Sequence, residues 1–271
     1  MVALDIDGTL VDHEGVLPDR VRRSVRRVVA AGVPVVLTTG RGWHATRPVF
    51  EQLGLPAGPA VASNGAVTVS FPPFILEQAL TFDPAEVIAR VLREHPSAAL
   101  AAEVIGHGYR VTKQFPVGDL SGEIEQVSVD DLAGSDIPRL VVRDPLASDA
   151  EFIRLAERIG LQGVSYSVGW SAWLDIAPAG VNKATALADV VAGLGYGAAD
   201  VLAIGDGRND VEMLGWAGRG VALGDGSAEA QAAADHVTGR FADGGTAQEL
   251  DRWFDRSRAS SRIAAQDRLA S

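Results

Sequence analysis

Two aspartates separated by one isoleucine, Asp5 and Asp7, stand at the end of the chain's first apolar run, Val2 to Leu4. An apolar run that stops at a carboxylate and a glycine reads as a buried strand, and chemistry is expected at its C-terminal end. In an extended segment residues two apart leave on the same side, which brings both carboxylates together and turns Ile6 toward the core. Such a pair repels itself and any anionic substrate, since unit charges about 4 Å apart near a protein surface cost about 4 kcal/mol. A hard divalent cation with oxygen ligands relieves the repulsion, and Mg²⁺ is the economical choice. On this stretch alone a solvated D-x-D-G turn is the open alternative.

Further polar clusters follow, each at an expected strand tip or helix start. Val33 to Thr38 is an apolar, β-branched run ending in Thr39-Gly40-Arg41, and Pro59 to Ser63 ends in Asn64-Gly65. A helix opens at Val181 or Asn182 with Lys183 at its start, and Val201 to Ile204 ends in Gly205-Asp206-Gly207-Arg208-Asn209-Asp210. Taken singly, Lys183 reads as a solvated surface lysine, Thr39 as a hydroxyl bonding its own turn and Asp206-Gly207 as a turn. Taken jointly and in order, they describe one site.

These tips need a scaffold of alternating strands and helices. Val21, Val25, Val28 and Val29 recur at helical spacing between Pro18 and Ala31, with arginines on the other faces and Gly32 as the stop. A second helix is expected over 44–53. Helices from about 182 to 194, 210 to 216 and 227 to 233 alternate with strands at 201–204, 221–223 and 236–238. This is the pattern of a doubly wound, parallel α/β sheet. Between these two runs the pattern changes. Helices start with capping boxes at Asp83-Pro84-Ala85-Glu86 and Ser148-Asp149-Ala150-Glu151, and strands are expected around 98–104, 109–112, 139–142, 164–167 and 173–176. The expected division is an α/β core of 1–82 and 179–255, an inserted α+β domain of 83–178, and a polar, arginine-rich tail of 256–271.

At 271 residues and 47% hydrophobic, the chain can bury a sizeable core. A net charge of -11 argues against nucleic acid as a partner, because that binding rests on Lys and Arg neutralising phosphates. The absence of cysteine excludes disulfides and thiolate metal sites and fits the cytoplasm, where the protein is expected. No leader pattern or bilayer-length apolar run is present, so no membrane partner is expected. With no lead-in before the first strand, the natural start is expected slightly upstream of Met1.

The forms D-I-D-G-T-L from Asp5, L-T-T-G-R from Leu37, S-N-G-A from Ser63, G-V-N-K-A-T-A-L from Gly180 and G-D-G-R-N-D-V-E-M-L from Gly205 resemble the haloacid dehalogenase (HAD) superfamily of phosphohydrolases, in its Cof-type subfamily. The resemblance covers the whole chain in outline. It implies a Rossmann-like core with a cap domain inserted over 83–178, between the second and third motifs. It also implies that Asp5 is the nucleophile forming an aspartyl-phosphate, which splits a very slow hydrolysis into two easier steps. Asp7 would protonate the leaving alcohol and later activate water, while its backbone carbonyl reaches Mg²⁺. Asp206 and Asp210 would complete the metal sphere, directly or through water. Phosphoryl transfer spreads charge over the equatorial oxygens, and Lys183, Thr39, Gly40 and Asn209 are the candidate donors to them. Asn64, Arg41 and Trp170, the last at an expected hairpin tip, are candidate substrate contacts.

The leading expectation is a Mg²⁺-dependent phosphatase of a small phosphorylated metabolite, a sugar phosphate or a phosphorylated cofactor. A phosphomutase would use the same nucleophile but must hold a bisphosphate, which calls for extra cations in the cap. The cap offers Arg90, Arg93, Arg110, Lys113, Arg139 and Arg143 with acids interspersed. A non-catalytic receiver-like module has no use for Asp7 as an acid or for an inserted cap, and a dinucleotide binder would need a G-x-G-x-x-G turn that the first strand lacks.

Overall fold

The computed structural model describes residues 1–148, 150–152, 154–155 and 173–254, and the backbone of 164–168. Trp170, most of the helix expected after Ser148, and the 256–271 tail lie outside the described residues.

Eight strands form the larger sheet: β1 (Val2–Leu4), β2 (Val35–Thr38), β3 (Gly58–Ala62), β4 (Val67–Phe71), β5 (Ile75–Ala79), β12 (Leu202–Gly205), β13 (Arg219–Ala222) and β14 (His236–Val237). Their order is β14-β13-β12-β1-β2-β3-β4-β5. From β14 to β3 every pairing is parallel, and β1 lies between β12 and β2, with Leu4 opposite both Ile204 and Leu37. The chain therefore leaves β1 to one side and returns on the other, which makes the C-terminal tip of β1 a topological switch point.

Side-chain alternation explains why β1 is apolar throughout. Val2 and Leu4 face a core with Val21, Val25 and Val28 of helix Asp19–Ala30, Phe50 and Leu53 of helix Trp43–Leu53, and Leu250 of helix Gly245–Phe254. Ala3 faces the opposite layer, where Ala184, Leu187 and Val191 of helix Lys183–Gly193 meet Met213 and Leu214 of helix Val211–Trp216. A strand covered on both faces needs an apolar residue at every position, and burying each Val or Leu contributes about 1.5–3 kcal/mol.

The second sheet holds β6 (Ala99–Val104), β7 (Gly108–Val111), β8 (Glu123–Gln126), β9 (Leu140–Arg143), β10 (Val164–Val168) and β11 (Trp173–Pro178), in the order β10-β11-β9-β6-β7-β8. It is antiparallel except between β7 and β8. Helix Ala85–Glu94 packs Val87, Ile88 and Val91 against Leu100, Leu140, Val142, Leu174 and Ile176 of this sheet. The fold is thus an α/β parallel-sheet core with an α+β layer inserted between β5 and β12.

Several elements depart from the sequence expectation. The β4–β5 hairpin extends the core sheet antiparallel, and β8 and a short helix, Val129–Ala133, occupy what reads as a polar connection. Every residue of β8 and most of β5 are exposed, so backbone pairing forms them and no hydrophobic period announces them. The expected box at Asp83 is a shorter device: Pro84 takes the cap position and the Asp83 carboxylate accepts the Ala85 N–H. Ser148 and Glu151 do exchange capping hydrogen bonds. No described helix is long and apolar enough to cross a membrane.

Candidate active site

Asp5 follows β1 and donates its N–H to Ile204 of β12 at 3.0 Å, which ties the two tips together. Asp206 follows β12, and a 3-10 turn, Arg208–Asp210, returns Asp210 beneath it. Asp5, Asp206 and Asp210 are buried, and each offers a carboxylate oxygen within 4.8 Å of the others. Helix Lys183–Gly193 begins with a capping box in which Asn182 accepts the Thr185 N–H. That start drives Lys183 inward, and its Nζ donates to Asp5 Oδ1 and Asp210 Oδ1, both at 2.6 Å. Lys183 is wholly buried, unlike the solvated lysine its sequence context allows. The other oxygen of Asp210 accepts the N–H groups of Asp206 and Gly207 at 2.9 Å. Thr9 donates to Asp206 Oδ1 at 2.8 Å. Gly8 has φ +74°, and a Cβ there would collide with the Asp206 carboxylate, so glycine is required after Asp7.

Three carboxylates thus face one ammonium. Burial first, and then Asp210, pushes Asp5 well above the usual carboxylate range against the pull of Lys183. Burial and Asp210 likewise raise Asp206, to about 7, while Thr9 and Lys183 oppose the rise. Burial alone would lower Lys183, but Asp210 and Asp5 outweigh it and raise its pKa. Crowded, undercompensated carboxylates with oxygen-only donors fit a hard divalent cation such as Mg²⁺.

Asp7 is exposed where Asp5 is buried, but both line the same cleft, and Ile6 is fully buried as the alternation requires. Arg41, just past β2, holds Asp7 through both carboxylate oxygens. Gly40, Arg41 and Asn209 line the cleft. Thr39 is fully buried, with its hydroxyl accepting the Arg41 N–H at 3.1 Å. Asn209 donates to Asn64 Oδ1 at 2.9 Å. Ser63 and Asn64 both sit at φ 52°, a left-handed conformation costing on the order of 1–3 kcal/mol for residues other than glycine. That backbone lets Asn64 N–H reach Thr39 O, and lets Ser63 Oγ donate to Glu103 Oε2 of β6 at 2.6 Å.

The cleft, of about 940 Å³, lies between the two sheets. Its far wall comes from the inserted layer: Tyr109 of β7, Asp119 and Ser121 of the β7–β8 connection, Arg139, and Trp173 and Asp175 of β11. Arg139 is buried; its Nε donates to Asp175 at 2.7 Å and one terminal nitrogen donates to the Tyr109 hydroxyl at 3.3 Å. Burial pushes the Tyr109 phenol up to about 12. Sequence reasoning passed over Thr9, Tyr109, Asp119, Trp173 and Asp175 as cleft residues, and took Arg139 only as a cap cation. Trp173 does pack edge-on against Phe115, yet it is half-exposed to the cleft. The alternation along β11 was the available signal: Trp173 and Asp175 point one way while Leu174 and Ile176 point into the core.

The model of the haloacid dehalogenase-like hydrolases matches residues 2–250. A phosphoglycolate phosphatase of Aeropyrum pernix is 31% identical over 262 residues, covering 96% of this chain and 95% of that protein. A 5-amino-6-(5-phospho-D-ribitylamino)uracil phosphatase of Bacillus subtilis is 26% identical over 255 residues, covering 93% and 95%. Among solved structures, the HAD subclass IIB sugar phosphatase BT4131 superposes with a TM-score of 0.78 at 20% identity, covering 93% of this chain and 98% of its own, a likeness of fold. With the family model matching almost the whole chain, this chain belongs to the haloacid dehalogenase-like hydrolases as a Cof-type member.

Proposed function

We propose that this phosphoric monoester hydrolase acts on small phosphorylated metabolites, depends on Mg²⁺, and works through an aspartyl-phosphate on Asp5. The observation that carries the reading is the buried cluster of Asp5, Asp206 and Asp210 around Lys183 at the floor of an open cleft. Mg²⁺ held by Asp5, Asp206 and the Asp7 carbonyl would neutralise charge on the phosphate and on its attacker. Asp210 acts by position, since its oxygens are engaged with Lys183 and two backbone N–H groups.

Asp5 attacks phosphorus while Lys183 fixes one of its oxygens, leaving the other toward the cleft. Asp7 gives a proton to the departing alcohol oxygen and then takes one from the water that opens the acyl phosphate. Arg41 orients the ionised Asp7 through both oxygens in the resting site and would release one of them when Asp7 carries the proton. Gly40 and Asn209, which line the cleft, would donate to the equatorial oxygens, and the buried Thr39 hydroxyl braces the Arg41 N–H behind them. The segment 83–178 acts as the cap, excluding water and contacting the leaving group through Tyr109, Trp173 and Asp175. Relatives named for phosphoglycolate, pyridoxal phosphate and a ribitylamino-uracil phosphate support a phosphorylated metabolite as substrate.

The test is to quench a single turnover with acid and map the protein by mass spectrometry. A phosphoryl group on the peptide containing Asp5, absent in Asp5→Asn and absent without Mg²⁺, is expected. Turnover with no trapped phosphoryl under any quench would rule out the covalent route.

A further inference from the structure

We propose that the leaving group is an uncharged, hydroxyl-bearing alcohol, and that the cap wall of the cleft discriminates against alcohols carrying a carboxylate or second phosphate, which sets this chain apart from its relatives named for phosphoglycolate. The inference rests on the phosphatase reading and adds to it which ester the site accepts.

The argument is a charge inventory of the cleft. Three arginines line it, and each is held by a carboxylate that also lines it. Arg41 is bound to Asp7, Arg139 to Asp175 at 2.7 Å, and Arg208 to Glu229 at 2.9 Å. Lys183 is sealed between Asp5 and Asp210. His13 lies at the mouth beside Glu14, with its side chain 90% exposed. The nearby cap cations are engaged as well: Arg143 donates to Asp119 at 2.8 Å, and Arg110 lies 3.7 Å from Glu125. Among the described residues, therefore, no cation on the cap wall stands without a carboxylate to meet a second anion.

A carboxylate on the leaving group would have to displace Asp175 from Arg139 or lie beside the wall's own carboxylates, which repel it. The proposed Mg²⁺ and Lys183 serve the phosphate end alone. The same wall suits hydroxyl groups. An ionised carboxylate has about four acceptor positions, so one guanidinium bond does not exhaust those of Asp119 or Asp175. The Tyr109 hydroxyl accepts from Arg139 and keeps its proton to give, and Trp173 offers an apolar ring face. Selection then works by rejection: the wall is built of acceptors whose cations are already taken.

The test compares glycerol 1-phosphate with 3-phosphoglycerate, which share a carbon skeleton and differ in replacing CH₂OH by a carboxylate, with p-nitrophenyl phosphate as the indicator of site competence. For the full chain with Mg²⁺, kcat/KM is expected to favour glycerol 1-phosphate by at least about tenfold. Asp175→Asn removes the closest carboxylate from Arg139, leaving Glu103 at 3.9 Å, and should shrink that ratio, chiefly through a lower KM for 3-phosphoglycerate. Asp119→Asn, which removes one carboxylate from the wall, should shift the ratio the same way and serves if Asp175→Asn does not fold. Parity of the two esters, or preference for 3-phosphoglycerate, overturns the inference while p-nitrophenyl phosphate turnover leaves the phosphatase reading standing. A ratio unmoved in the folded variants also overturns it. Failure to hydrolyse any of the three esters overturns the phosphatase reading and this inference together.

Discussion

Arg41 grips Asp7 with a fork of two hydrogen bonds, Nε to Oδ2 at 2.9 Å and a terminal nitrogen to Oδ1 at 2.5 Å. The two side chains come from the tips of adjacent parallel strands, so the proposed proton donor is aimed by the neighbouring strand. A lysine can replace the charge but not the planar fork. Arg41→Lys is therefore expected to lower kcat about tenfold or more, with a larger loss on alkyl phosphates than on p-nitrophenyl phosphate, whose leaving group needs little protonation. Equal losses on both would remove Arg41 from the orientation of Asp7.

Lys183 is the sole ammonium among three buried carboxylates. Removing one partner of a buried ion pair typically costs about 3–5 kcal/mol. Lys183→Met should lower urea-unfolding stability by that order in chelator, regain part of it with Mg²⁺, and lower kcat about 100-fold or more. A variant with unchanged kcat would return Lys183 to a purely structural role.

Asp5→Asn is expected to abolish turnover and raise the Tm of the metal-free protein. Burial and the charge of Asp210 already disfavour the Asp5 carboxylate, and the amide removes that repulsion at nearly constant shape. A fall in Tm would mean that the Lys183 contact outweighs the crowding.

The raised pKa of Asp206, about 7, sets a pH dependence for the metal-free protein. Because the folded value exceeds the ordinary 3.8, this group's contribution to stability is fully present below 3.8 and is lost as pH rises through about 7. Mg²⁺ requires the ionised form, so its affinity should weaken as pH falls below about 7, and its stabilising effect should be largest above it. Calorimetric titration at pH 6 and pH 8 tests this, and equal affinity at both would contradict it.

Glu103 joins the inserted layer to the core through Ser63, and burial raises its pKa above the ordinary 4.5 despite Arg139 and Ser63. Its contribution is full below 4.5 and lost as pH rises through the elevated value. Glu103→Gln should thus have a higher Tm than the parent at pH 8, with the gain vanishing toward pH 4. A variant less stable at every pH would show that the Ser63 and Arg139 contacts dominate.

Much of the core was legible because local rules act there directly. Val2, Ala3 and Leu4 read as a buried strand because both faces are covered, and the polar residues ending such strands had to emerge together at one edge of a parallel sheet. Exposed β5 and β8 were illegible for the converse reason: their pairing is carried by the backbone, and their side chains follow no period.

By itself, then, the sequence determined which residues are chemically equipped and which tips they occupy: Asp5 and Asp7 after one apolar run, Asp206 and Asp210 after another, and Lys183 at a helix start. The tertiary structure decided who meets whom. Lys183 reaches Asp5 across 178 positions of sequence only because β12 pairs with β1 and its helix packs on that face of the sheet. Arg139 finds Asp175 because β9 lies against β11, and Ser63 finds Glu103 because the inserted sheet packs over the β3 tip. Periodicity and spacing encode the face and the end of an element. Strand order and interlayer packing arise from the summed burial of many residues, and these set the charge balance of the cleft.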